Sequence, residues 1–129
     1  MIYEAAGRPR PRSSNFELWS WLFMRVSGVV LLVMVLAHFA IMHVFTPLRD
    51  VDFAFVAARF STPGWRIYDQ VMLALALLHG MNGVRVVSDD LFHSRGWRVV
   101  ITSLIYLVGF TFLAIGMLII YTFQPGVGR

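Results

Sequence analysis

The chain has 129 residues, room for one domain, and is 58% hydrophobic with 14% charged residues. Soluble domains carry roughly 25% charged residues, so this balance excludes an ordinary soluble domain, and the same hydrophobicity excludes a disordered chain. There is no Cys, which removes disulfides, thiolate metal sites, iron–sulfur ligation and Cys nucleophiles, and the net charge of +4 rests on Arg without any Lys.

The first fifteen residues are polar and Arg-rich. Arg8, Pro9, Arg10, Pro11 and Arg12 read as a flexible, extended arm over 1–15. The apolar run behind it is too long for a signal peptide and lacks a small-residue cleavage site. Asn15 is placed to cap a helix that starts near Phe16. A first span then runs from Val26 to Phe45, interrupted by Ser27, Gly28, His38 and His43. In the following connection, Asp52–Phe60 suits a short interfacial helix, and Pro63 and Gly64 are expected to start the turn into the second span. That span, Ile67–Val87, carries Asp69, Gln70, His79, Asn82 and Arg85, but Val71–Met81 is strongly apolar. The third span, Val99–Phe123, contains no charge.

The expected fold is therefore an all-α membrane protein. Residues 16–129 form a single domain of three transmembrane helices, with the short interfacial helix between the first and second. Arg8, Arg10, Arg12, Arg25, Arg85, Arg95 and Arg98 flank one side of the spans, against Arg49, Arg59 and Arg66 on the other. The positive-inside rule places the N-terminus in the cytoplasm. This distribution also points to a lipid bilayer and not to nucleic acid as the partner of the basic residues. Trp19, Trp21, Trp65 and Trp97 fall near span ends, as an aromatic belt requires.

Ionisable residues inside spans are costly and are functional suspects. At about 100° per residue, His79, Gly83, Val86 and Asp90 share one helix face. Such a face suits a large flat ligand: imidazole supplies an axial bond to haem iron, and a glycine lets a macrocycle approach the backbone. The other reading is a histidine hydrogen-bonded to a neighbouring helix, with Gly83 as a packing residue. On the first span, Ser27, Leu31, Met34 and His38 share one stripe, and Arg25, Leu32, Leu36 and His43 share another. Hence His38 and His43 meet only if the helix bends. His38 lies deep, and His43 reads as interfacial. Arg25, at the edge of the span, suits a haem propionate or a quinone oxygen, or else anchors the helix by snorkelling. Gly109 and Gly116 make a strip for close helix contact on the third span, and the Met residues read as packing.

Trp21-Leu22-Phe23-Met24-Arg25-Val26-Ser27-Gly28 and His79-Gly80-Met81-Asn82-Gly83-Val84-Arg85, followed by Asp89-Asp90, resemble the small membrane-anchor subunits of succinate dehydrogenase, the succinate:quinone oxidoreductases. The shared features are Arg-x-Ser-Gly near the start of span one, His-x3-Gly-x-Arg in span two, and an Asp eleven residues after the histidine. The Asn15-Phe16-Glu17 lead-in and the Asp pair resemble D-type anchors of the actinobacterial kind. Arg-Val-Ser-Gly also occurs in C-type anchors. The resemblance implies a cytochrome b subunit of respiratory complex II in a bacterial inner membrane, serving electron transport and the tricarboxylic acid cycle. Its partners would be a second anchor subunit, an iron–sulfur subunit and a flavoprotein subunit. It implies haem b, with His79 as one axial ligand and the other from the partner anchor. Arg25, Gly83 and Ser27 would lie in the cofactor site, and His38 is the candidate ligand for a second haem. Arg25 and Asp90 would border the ubiquinone or menaquinone pocket. Two departures stand out: Trp21 occupies the place of a quinone-binding serine of C-type anchors, and Leu91 that of a tyrosine of D-type anchors. His93 or Trp21 would substitute in this chain. The rival readings are a haem-free structural anchor and a small multi-helix transporter.

Overall fold

The computed structural model describes residues 15–123. Helix α1 spans Asn15–Phe39 and runs on as a π-helical segment over Ala40–Phe45. A 3-10 turn at Leu48–Asp50 leads to α2, Phe53–Ser61, then α3, Pro63–Leu91, and α4, Arg95–Thr122. All described elements are helical, and three helices are long and apolar enough to cross a membrane. A 25-residue helix rises about 37 Å, more than the roughly 30 Å of a hydrocarbon core. Helices suit that solvent because every backbone group finds its partner within the segment. The hydroxyls of Ser27, Ser88, Thr111 and Thr122 follow the same logic, each donating to the carbonyl four residues earlier.

The short helix between the first two spans is present, capped by Asp52, whose carboxylate accepts from the Phe55 amide at 2.8 Å. One expectation is corrected: Pro63 and Gly64 are not a turn but the first residues of α3. Proline is at home there, since its missing N–H falls where a helix has no acceptor to offer. The chain reverses one residue earlier, at extended Thr62. The arm over 1–14 lies outside the described residues.

Helix α3 is central and packs against both α1 and α4. Its contact with α4 depends on the glycine strip expected from the sequence. A Cβ at Gly109 would overlap the Met81 side chain, and one at Gly116 would overlap Leu73. Met81 is the buried apolar residue of the described chain. Gly109→Val is therefore expected to lower thermal stability by about 1–3 kcal/mol, the usual cost of overpacking. Thermal unfolding in detergent checks this, and adding Met81→Ala should recover part of the loss. An unaffected Gly109→Val would show that the helices are free to separate. At the other end, Arg66 donates from Nη2 to the Phe123 carbonyl at 2.7 Å and from Nε to the Phe60 carbonyl. It thereby satisfies carbonyls near the ends of α2 and α4 and ties both to the start of α3.

Candidate functional site

Along α1, Ser27 is buried and Leu31, Met34 and His38 are half-buried, whereas Arg25, Leu32, Leu36 and His43 are exposed. The two stripes read from the sequence are thus an inner and an outer face. The inner face meets α3 at His79, just past the middle of that helix. His79 Nδ1 lies 2.8 Å from Ser27 Oγ, and the same oxygen donates to the Phe23 carbonyl at 2.6 Å. A Cβ on Gly28 would stand 3.4 Å from His79 Cε1, and one on Gly83 would stand 3.5 Å from Met24 Cε. The crossing is reciprocal: a glycine on each helix receives a long side chain from the other. The strings around Arg25-x-Ser-Gly and His-x3-Gly are therefore two halves of one contact.

Two turns toward the start of α1, Ser20 and buried Asn82 exchange hydrogen bonds of 3.1 and 2.9 Å, and Arg85 Nε donates to Asn82 Oδ1 at 3.2 Å. Glu17, Trp21, Met24 and Gly83 join them around a cleft of about 450 Å³. The cleft is apolar with its polar groups gathered at one end, the usual make-up of a small-molecule site. Arg85 sits between Glu17 and Asp89, 3.8 Å from each, and its side chain is 14% exposed. A second cleft of about 550 Å³ lies at the α3–α4 connection, lined by Asp89, His93, Arg95, Arg98 and Thr102. There Arg98 Nε meets Asp89 Oδ1 at 2.9 Å.

A third cluster lies at the opposite end of the spans. Arg59 of α2 and Asp69 of α3 form a salt bridge at 3.1 Å, with side chains only 6% and 11% exposed. The Arg59 guanidinium lies 4.1 Å from the centre of the Trp65 ring. His38 Nδ1 is 3.6 Å from Asp69 Oδ1, beyond hydrogen-bond reach, and is buried with no hydrogen-bond partner among the described residues. His38, Asp69, Phe60, Met72 and Leu73 border a mostly apolar cleft of about 440 Å³. The π-helical segment begins two residues after His38. It does not bring His38 and His43 together: His43 is exposed and packs edge-on against Phe39, with ring centres 4.9 Å apart.

Residues 7–118 match the succinate dehydrogenase/fumarate reductase transmembrane subunit family. The chain belongs to that family. It is similar to the succinate dehydrogenase hydrophobic membrane anchor subunit of Archaeoglobus fulgidus, 26% identical over 75% of this chain and 85% of the relative. It is also similar to the succinate dehydrogenase 2 membrane subunit SdhC of Mycobacterium tuberculosis, 29% identical over 83% of this chain and 79% of the relative. The protein is thus a membrane-anchor subunit, a multi-pass membrane protein that works in a complex with the other subunits of a succinate dehydrogenase or fumarate reductase.

Within this anchor the expected site residues do not all converge. His79, Ser27 and Gly83 meet at the α1–α3 crossing. Trp21 lines the neighbouring cleft, and Arg25 stacks on it, 4.2 Å from the ring centre. Two residues put Arg25 about 200° round the helix from Ser27, so it points away from His79. His93 borders the other cleft. Asp90 is exposed, with no ion-pair partner within 4 Å among the described residues, and lines neither cleft. The sequence reading missed Ser20, which carries no motif. It treated Arg59 as a topology charge and Asp69 as a blemish in the second span. The available signal was an acid inside an apolar run, ten residues after an arginine.

Proposed function

We propose that this anchor subunit holds haem b between its α1–α3 pair and a second anchor subunit, helps to form the quinone-reduction site, and docks the iron–sulfur subunit. His79 would hold the haem iron from this chain, and the partner anchor would supply a second ligand. What supports the reading is the Ser27–His79 hydrogen bond: it occupies Nδ1 and leaves Nε2 as the nitrogen open to a metal. The surroundings fit a macrocycle. Gly83 bears no side chain, and its neighbour Met24 is unbranched and able to move aside. When bound, the haem would supply one-electron transfer. Arg25, Trp21, His93 and Asp90 lie near the end of the spans where a quinone head would take up protons. Their separation within this chain fits a pocket completed by the partner anchor and the iron–sulfur subunit. His38 is the candidate ligand for a second haem, with the Asp69 carboxylate 3.6 Å from its Nδ1.

On this reading the N-terminus and the α3–α4 connection face the cytoplasm of a bacterial cell, α2 lies at the outer membrane interface, and the lead-in at Asn15–Glu17 marks a D-type anchor. The soluble subunits oxidise succinate and deliver electrons to ubiquinone or menaquinone. The test is a dithionite-reduced minus oxidised spectrum of the purified complex with pyridine haemochrome quantitation. One haem b per chain is expected, and two would bring His38 in. An intact, succinate-oxidising complex without haem would leave a structural anchor and remove the ligand roles. A further expectation concerns Arg25: Arg25→Ala should lower quinone reduction several-fold more than succinate oxidation measured with an artificial dye. Equal losses would indicate an assembly defect instead.

A further inference from the structure

The geometry of the α1–α3 crossing points to a role for Ser27 that its sequence position does not reveal. We propose that Ser27 is a positioning residue that fixes His79 in the tautomer with the proton on Nδ1, so that Nε2 presents the lone pair. The inference rests on the proposed reading of His79 as a haem ligand and deepens it.

A serine hydroxyl has a single hydrogen. The Phe23 carbonyl can only accept, and a separation of 2.6 Å between two oxygens requires that hydrogen between them. Ser27 Oγ then has only lone pairs to offer His79 Nδ1, 2.8 Å away, so Nδ1 must be the donor. The opposite arrangement would press two acceptors together at Phe23. A freely rotating serine would serve either tautomer. Ser27 is held to one by its own helix, and at 2% exposure there is no water to take its place. Gly28 borders the ring as well: a Cβ there would stand 3.4 Å from His79 Cε1, in van der Waals contact with the imidazole edge. A ligating histidine whose other nitrogen donates a hydrogen bond is fixed in orientation and made more basic. Here the acceptor is 52 residues away in sequence, so assembly of the crossing and preparation of the ligand are one event.

The experiment uses the whole purified complex with Ser27→Ala, Ser27→Cys, Ser27→Thr and His79→Tyr beside the unmodified chain. The readouts are haem retention on dilution, the haem midpoint potential and the electron paramagnetic resonance of the oxidised haem. Ser27→Ala is expected to weaken haem retention roughly 10- to 100-fold. It should also raise the midpoint potential, because a less basic nitrogen stabilises ferric iron less. Ser27→Cys, close in size and a poor acceptor, should move both readouts the same way if Ser27→Ala does not assemble. Ser27→Thr keeps the hydroxyl and should restore both. Alanine and cysteine variants with unchanged retention, potential and spectrum, in a complex where His79→Tyr loses its haem, would overturn the Ser27 role alone. Unchanged haem in His79→Tyr would overturn the ligand reading beneath it.

Discussion

A complex carrying His79→Tyr is expected to assemble and to lose the haem b absorbance of this chain's site, or to show it strongly shifted. The phenol replaces an imidazole nitrogen with an oxygen donor of different ligand strength. It also removes the donor that Ser27 Oγ accepts from at 2.8 Å, leaving that buried oxygen short of a partner. The ring lies beside Gly28, with 3.4 Å between Cε1 and the position of a Cβ, and the absence of a side chain there leaves space for the longer tyrosine. Difference spectroscopy on the purified complex measures the effect, and dye-linked succinate oxidation shows whether the soluble subunits remain attached. A spectrum identical to that of the unmodified complex would remove His79 from the haem site.

Asp69→Ala is expected to destabilise the chain by about 3–5 kcal/mol, the cost of leaving one partner of a buried ion pair alone. The stranded partner is Arg59, whose side chain is 6% exposed and held against Trp65. Its other contact is a weak one, from Nη1 to the Met42 sulfur at 3.6 Å. Without the carboxylate, α2 is expected to swing away from α3 so that the guanidinium reaches solvent. The double variant Arg59→Met with Asp69→Leu should recover most of the loss, because apolar groups of similar size carry no desolvation cost. Thermal denaturation in detergent, read as a double-mutant cycle, decides the point. Single and double variants of equal stability would mean that the pair is solvated and contributes little. The same substitution tests the placement of His38. Without Asp69 its buried Nδ1 loses the carboxylate 3.6 Å away, and any haem bound there should be the first to go.

The two glycine-bearing contacts explain how so apolar a chain acquires a specific shape. In lipid there is little hydrophobic drive between helices, so close packing and polar pairs set the register. Gly109 and Gly116 let α4 approach α3, and on the other side Gly28 and Gly83 each face a long side chain of the opposite helix, with 3.4 and 3.5 Å to the position of a Cβ. The polar pairs Ser27–His79 and Ser20–Asn82 then fix the height of α1 against α3.

The amino-acid sequence by itself determined the three long helices, the short one between them, the two stripes of α1 and the glycine strip of α4. Each depends on a local property: the length of an apolar run, a 3.6-residue period, or the absence of a side chain. These properties are legible because a bilayer demands them of any segment, whatever its neighbours. Only the tertiary structure decided that Ser27 reaches His79, that Ser20 reaches Asn82, that Arg59 neutralises Asp69, and that Arg25 and Asp90 stand apart from the histidine. Ser20 and Asn82 are 62 residues apart, and Ser27 and His79 are 52 apart. Their meeting depends on where two helices cross and on the height at which they settle. No spacing along one helix encodes that register, because it is set jointly by close packing at glycines on both helices and by hydrogen bonds that exist only once the helices have met.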